Sequence, residues 1–374
     1  MSERKLASIQ KITKLSPIKD ADRIEVADIL GWKVVVQKGL HKVNDLVFFF
    51  EIDSLLPEIP EFEFLRKSCY IKESQNGCGF RLRTIKLKKQ VSQGMIMPIR
   101  ELNCYLFSFG DPYDYRPVDV DLLEEGMDVT QDLCVKKYEK IIPAKLAGKV
   151  RGNFPSFIPK TDQERVQNFI GDFMKNYRDH VWETSLKLDG SSCTIYYNSS
   201  IGEFGVCSRN MNLTETEENS FWQVARKYDL EQKMANSDTF MYVPNPTTGI
   251  MEDFPKSYAI QGELMGPGVQ GNRENLSELD LYVYDIWDIE NQRYLDSKTR
   301  LEMTRVLGLK HVPVYETCSY GFDDSKGFLD HAEYAFDGKS LNHPHREGLV
   351  FKSLNDPNVS FKAISNKFLL EGGD

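Results

Sequence analysis

Lys187-Leu188-Asp189-Gly190 joins a primary amine to a carboxylate two residues on and to a glycine that permits a tight turn. An amine presented at a turn can attack phosphorus once it is uncharged, and a carboxylate beside it can gather a cation. The flanking residues read as a hairpin. Val181–Lys187 is one strand, Leu188-Asp-Gly-Ser-Ser the turn, and Cys193-Thr-Ile-Tyr-Tyr the returning strand. Four letters alone carry little, because ordinary residue frequencies place Lys-x-Asp-Gly in roughly one chain in a dozen of this length. A surface lysine beside a turn is the plainer reading, and other charged positions are needed to displace it.

Five downstream segments supply them, each joining a charged residue to an apolar strand. Ser208-Arg209-Asn210 lies at a strand end. Tyr258-Ala-Ile-Gln-Gly262-Glu263-Leu-Met-Gly266 carries a carboxylate bracketed by glycines. Leu281-Tyr-Val-Tyr284-Asp285-Ile-Trp has the pattern of a buried strand with aromatics. Glu347-Gly-Leu-Val-Phe-Lys352 offers an acid and a base on opposite faces of a regular strand, and Ser360-Phe-Lys362 begins the last strand. Each alone is more simply structural, but the ordered set is hard to explain that way.

The elements that position these residues fall into two parts. A chain of 374 residues exceeds one ordinary core. Its first ~140 residues contain short β runs, Arg23-Ile-Glu-Val-Ala-Asp-Ile-Leu, Lys33-Val-Val-Val-Gln and Asp45-Leu-Val-Phe-Phe-Phe-Glu-Ile, then Phe80-Arg-Leu-Arg-Thr-Ile-Lys-Leu-Lys and Gly94-Met-Ile-Met-Pro. Their spacing predicts a small OB-like barrel. Arg81 and Arg83 would share one strand face and Lys86 and Lys88 the other, with Lys89 at the end. The set is read either as a solvated basic edge or as a surface for a phosphate backbone. Residues 141–160, rich in proline and glycine, read as a linker. Thr161 then looks like an N-cap with Glu164 closing a capping box, opening a helix to about Arg178. Further helices are expected over Asn219–Ala235 and Ser297–Leu307, and Asn236 to Pro255 reads as a loop.

Composition limits the function classes. Hydrophobic content of 41% with 28% charged residues fits a globular chain. Leu46-Val-Phe-Phe-Phe is strand-sized, no run approaches ~20 apolar residues, and the N-terminus has no apolar secretory core. Seven cysteines without a C-x-x-C pair point to reduced thiols and an intracellular setting. A net charge of −9 argues against coating nucleic acid through bulk charge but leaves room for a local basic groove. His343-Pro-His345 reads as turn chemistry before metal binding, and the glycines from Gly262 to Gly271 lack a Rossmann context.

Taken together, these segments resemble the covalent nucleotidyltransferase superfamily of ATP-dependent DNA ligases, RNA ligases and mRNA capping enzymes. Lys187 to Gly190 looks like its motif I, Ser208-Arg209 like motif Ia and Gly262-Glu263 like motif III. Tyr284 with Asp285 looks like motif IIIa, Glu347 to Lys352 like motif IV and Lys362 like motif V. The nearest likeness is to RNA ligases with an OB module ahead of the transferase domain. It extends through Phe154-Pro-Ser-Phe-Ile-Pro-Lys-Thr-Asp-Gln-Glu-Arg-Val-Gln, Glu263-Leu-Met-Gly-Pro-Gly-Val-Gln-Gly-Asn, Arg81-Leu-Arg-Thr-Ile-Lys-Leu and Ser92-Gln-Gly, and so covers nearly the whole chain. Motif V often carries a second lysine where this chain has Ile364. Lys367 is the nearest substitute, so only Lys362 is carried over.

The resemblance implies an α+β chain. An N-terminal OB-like β-barrel (1–140) would precede, through a linker (141–160), a nucleotidyltransferase domain of antiparallel sheets with flanking helices (161–374). It implies an ATP-dependent RNA ligase with ATP and Mg²⁺ or Mn²⁺ as cofactors. Lys187 would form a lysyl-AMP phosphoramidate, AMP would pass to a 5′-phosphate, and a 3′-hydroxyl would then displace it. Asp189, Glu263 and Glu347 would hold the metal directly or through its waters. Arg209, Glu263, Tyr284, Lys352 and Lys362 would bind the nucleotide, and a nearby divalent metal with Lys352 and Lys362 would depress the lysine's pKa. Arg81, Arg83, Lys86 and Lys88 would meet nucleic acid. RNA, as a nicked duplex or an RNA/DNA hybrid, is the expected partner of a monomer that needs no membrane. A DNA ligase, a capping guanylyltransferase and a non-catalytic OB nucleic-acid-binding protein are the rivals. The first two usually place an OB domain after motif V, whereas this sequence runs only a short way past Lys362.

Overall fold

A computed structural model describes residues 5–102, 105–107, 115–117, 122–139, 150–236, 254–319 and 338–371. Residues 141–149 of the expected linker and 237–253 of the expected loop lie outside the described residues. Contacts divide the chain into one unit of residues 1–143 with 369–374 and another of residues 144–368.

In the first unit the long strand Ala7–Pro17 serves two partners. Its first half pairs with Leu46–Phe50 and its second with Ile24–Ile29, across a register shift between Ile12 and Lys14. A bulge of this kind bends a strand, so the five-stranded sheet curls into a half-barrel. Its ordering is Met95–Pro98, Leu46–Phe50, Ala7–Pro17, Ile24–Ile29 and Trp32–Gln37. The Gln93 N–H donates to the Lys33 carbonyl at 2.8 Å, and the Val35 N–H donates to Ser92 Oγ at 2.9 Å, which draws the two edges together. Phe48, Phe50, Phe62 and Phe80 fill the interior with Ile9 and Leu56. Burying each such ring is worth about 2–3 kcal/mol relative to exposure.

The run from Phe80 to Lys88 is not the single strand expected. Gly79–Arg81 joins a four-stranded sheet, whereas Ile85–Leu87 pairs with Gln90–Ser92 as a separate hairpin. Arg81 is thereby buried. Its guanidinium lies 3.9 Å from the Tyr138 ring centroid and 3.6 Å from Asp53 Oδ1. Arg83, Lys86 and Lys88 are exposed, as are Ile85 and Leu87.

The second unit holds two sheets. The larger is ordered Val150–Asn153, Met211–Leu213, Glu203–Cys207, Ser191–Asn198, Tyr258–Met265, Asp280–Asp288 and Arg293–Tyr294, with Lys310–His311 parallel to Asp280–Asp288. The smaller is ordered Glu164–Arg165, Ser360–Ile364, Gly348–Ser353, Val181–Lys187 and Val314–Ser319. Helices Ser220–Lys227, Leu230–Ala235 and Ser297–Val306 place Trp222, Met234 and Met303 on the larger sheet against Ile195, Ile260 and Val283. Asn219 caps the first of these by accepting from the Phe221 and Trp222 N–H groups. The helix Val166–Asp172 covers the smaller sheet, where Phe173, Trp182, Phe351 and Phe361 are buried.

Two local expectations are corrected. Val181–Lys187 and Ser191–Asn198 are not a hairpin, because the first belongs to the smaller sheet and the second to the larger. The turn at Leu188-Asp-Gly crosses from one sheet to the other. Thr161 caps no helix. The helix begins at Val166 without a side-chain cap, and the Glu164 carboxylate instead accepts from the Arg165 N–H and from Asn168 Nδ2.

Candidate functional site

Crossing from one sheet to the other brings Lys187 to the junction where Leu186, Leu188, Met265, Tyr282 and Val312 close the floor. Lys187 ends its strand with Gly348 as register partner, so Glu347 stands just beyond that pair. The Lys187 Nζ to Glu347 Oε1 distance is 2.7 Å. Glu263 arrives from the larger sheet and accepts from the Gly190 N–H at 3.1 Å. This explains the glycine. A Cβ at 190 would lie 2.4 Å from the Leu264 carbonyl oxygen and 2.8 Å from Glu263 Cγ. Gly348 is constrained in the same way, since its Cβ would meet the Ala363 carbonyl oxygen at 2.1 Å.

Lys187 is expected to have its pKa depressed by a divalent metal together with Lys352 and Lys362. Its side chain is only 24% exposed. Desolvation pulls its pKa down, yet Glu347, Glu263 and Asp189 together outweigh that and hold it above the ordinary value. The resting amine is an ammonium. Glu263 carries the counterpart shift. Burial pushes its carboxyl up to about 8, with Lys187 opposing and Glu347 adding to the rise.

The second lysine behaves in the opposite way. Lys352 is buried, lies 2.5 Å from Asp285 Oδ1 and donates to the Tyr284 carbonyl. Burial lowers its pKa to about 8 despite Asp285, with Arg300 pushing in the same direction as burial. Its Nζ sits 5.8 Å from the Tyr284 ring centroid. The far end of that ring is tied down, with Tyr284 Oη 3.1 Å from Thr161 Oγ1 and 3.4 Å from Ser192 Oγ.

The remaining expected residues are less tightly gathered. Lys362 is half-buried on Ser360–Ile364, opposite Val350 and flanked by the buried Arg165. Arg209 is exposed and ion-paired to Asp162 at 2.5 Å. Thr161, Asp162 and Arg165 were missed because reading the segment as a helix start absorbed its polar residues. The parallel pairing of Glu164–Arg165 with Phe361–Lys362 has no local sequence signature.

For a divalent cation, Glu347 Oε2 is the telling atom. It is buried and meets no hydrogen-bond partner among the described residues, which a carboxylate oxygen tolerates poorly unless a cation or its water meets it. Among the described residues no group of three or more acidic, histidine or cysteine side chains is close enough to ligate an ion directly. The acids therefore fit a hydrated ion held through its own waters.

The first unit matches an OB-fold domain model over residues 6–99, and the second matches the RNA ligase family model over residues 180–364. A comparison with curated proteins finds no match. Among solved structures the chain is similar to an RNA ligase variant from Naegleria gruberi in its apo form, at 35% identity and a TM-score of 0.81 over 99% of this chain and 98% of that one. A second variant of that ligase, with AMP and Mn, matches at 34% identity and a TM-score of 0.81 over 98% of both chains. A third, with ATP and Mn, matches at 34% identity and 0.80 over 99% of this chain and 100% of that one.

The contrast between the two lysines can be measured directly. In a titration followed by lysine ¹³Cε NMR, Lys352 is expected to lose its proton near pH 8, as its pKa of about 8 requires. Asp285→Asn removes the carboxylate that favours the ammonium, so the midpoint moves to lower pH. An unchanged or higher midpoint in that variant contradicts the assignment.

Proposed function

This chain belongs to the RNA ligase family and is an ATP-dependent RNA ligase, and on that premise we propose how its residues divide the work. Lys187 is the nucleophile. Its nitrogen attacks the α-phosphorus of ATP, an N–P bond forms, the bond to the β-phosphate oxygen breaks and pyrophosphate departs. The observation that carries this assignment is the Lys187–Glu347 contact of 2.7 Å at a junction lined by Glu263 and Asp189.

The amine must shed its proton before it attacks, and the Glu347 carboxylate is the nearest acceptor. Asp189, Glu263 and Glu347 would hold Mg²⁺ or Mn²⁺ through its waters. Bound there, the ion would supply positive charge that weakens the carboxylates' grip on that proton and offsets the phosphates. Lys352 and Lys362 face charge developing on the α-phosphate. The Tyr284 ring, tied at its hydroxyl end, forms a platform for the adenine. Arg209 exchanges Asp162 for the ribose or a phosphate. AMP then passes from Lys187 to a 5′-phosphate, and a 3′-hydroxyl displaces it to seal the strand.

Arg83, Lys86 and Lys88 are proposed as contacts to RNA. Supporting this, they are exposed on or beside a hairpin whose turn residues, Lys88 and Lys89, have φ of 49° and 68°. That conformation is costly for residues other than glycine or asparagine. Arg81, buried under Tyr138, is withdrawn from the set. No helix among the described residues is long and apolar enough to cross a membrane. A monomer in an intracellular setting is the further reading; for the setting, the support is that the six described cysteines lie outside any disulfide.

Incubation with α-labelled ATP should leave label on the denatured protein, whereas α-labelled GTP should not. Lys187→Ala should abolish labelling, and retention of label in that variant overturns the assignment. Charge reversal at Lys86 and Lys88 together should weaken RNA sealing by about tenfold or more at moderate salt while self-labelling persists. Equal loss of both would place these lysines outside the RNA contact.

A further inference from the structure

Behind the nucleotide site lies a second set of buried charges that the reaction described above does not use. Arg300, on the helix Ser297–Val306, and Glu183, on the lysine strand Val181–Lys187, are both buried and form an ion pair. Ser297 Oγ donates to the other Glu183 oxygen. Arg300 Nε donates to His311 Nε2 at 3.0 Å, and the His311 Nδ1–H donates to the Val312 carbonyl at 2.6 Å. Burial, with Arg300 beside it, lowers the His311 pKa to about 4, so the ring is neutral throughout the working range.

This network touches Lys352 through strand register. Glu183 is the direct partner of Lys352 in the pairing of Val181–Lys187 with Gly348–Ser353. The charged and titratable groups around that ammonium are Asp285 and Tyr284 from the Asp280–Asp288 strand, Glu183 from the lysine strand, Arg300 from its helix and His311 from the Lys310–His311 strand. Two carboxylates therefore compete for one ammonium. Asp285 and the Tyr284 carbonyl take two of its three N–H donors. If Glu183 took the third, the ammonium would have nothing left for a phosphate.

We propose that Arg300 is a positioning residue for nucleotide transfer: it withholds the Glu183 carboxylate from Lys352 and so leaves that ammonium an N–H directed to the substrate's phosphate. This rests on reading Lys352 as the phosphate-facing cation. Stability alone does not account for the pair, because a buried Arg–Glu pair is often no better than well-packed apolar side chains. The network also spans the two sheets whose junction forms the site, with Glu183 on the smaller sheet and His311 on the larger.

Three variants test it with two readouts, the Lys352 midpoint from ¹³Cε NMR and the rate of self-labelling by ATP. Arg300→Met removes a cation and frees Glu183, so the midpoint should rise by on the order of one pH unit and labelling should fall about tenfold or more. Glu183→Gln leaves Arg300 facing Lys352 with no carboxylate between them, so the midpoint should fall. The double variant should recover most of the labelling lost in Arg300→Met, because no carboxylate is left to capture Lys352. Opposite midpoint shifts together with that rescue support the proposal. Shifts of the same sign, or a double variant no better than Arg300→Met, overturn it. If Arg300→Met does not fold, the Glu183→Gln midpoint decides alone, and an unchanged or raised value refutes the proposal. Wild-type protein that takes no label from ATP would instead fault the proposed function, and the midpoint shifts would still judge this inference.

Discussion

The site depends on a balance of charge at one low-dielectric junction. Lys187 and Lys352 both leave water for the gap between the two sheets, and desolvation presses each toward its neutral form. What separates them is the number of carboxylates each meets. Lys187 faces Glu347, Glu263 and Asp189 and stays charged above its ordinary range. Lys352 has Asp285 as its close partner and Arg300 working against it, and its pKa drops to about 8. Two chemically identical amines thus acquire different roles. In the reaction we propose, one is an ammonium whose proton leaves as its acids are neutralised, and the other is a cation offered to a phosphate.

Backbone packing sets this balance. Glu263 reaches the junction because Gly190 lets the turn after Lys187 lie directly on the Tyr258–Met265 strand. Glu347 reaches it because Gly348 lets the start of the Gly348–Ser353 strand lie against Ala363. A methyl group at either position would have to displace backbone, and the acids would move with it. The lone oxygen of Glu347 and the raised carboxyl of Glu263 are two consequences of one arrangement that gathers acids where the described residues do not fully neutralise them.

Much of this was legible in the residues. Apolar strand runs marked where Lys187, Glu263, Tyr284, Lys352 and Lys362 sit, and the curled sheet of the first unit follows from short strands with turn signals. What the local pattern does not carry is the choice of pairing partner. Leu188-Asp-Gly has the chemistry of a hairpin turn, but nothing within ten residues records that its two strands enter different sheets. Arg81 shows the same limit, since its alternation with Arg83 fits a strand face, whereas burial beneath Tyr138 depends on a residue far along the chain. Thr161 and Glu164 match a capping box by spacing, yet pairing of Glu164–Arg165 with the last strand prevails over that local signal. The charge state of Lys187 likewise depends on Glu263 and Glu347 from distant segments as well as on Asp189 beside it.

The central claim is that the amine held by Glu347 is the atom that takes the nucleotide. Mapping the adduct tests it most directly. Protein incubated with ATP and a divalent cation, then digested and sequenced by tandem mass spectrometry, should carry AMP on the Lys187 side-chain nitrogen and on no other residue. AMP located on another lysine or on a histidine, with Lys187 recovered unmodified, would contradict the account.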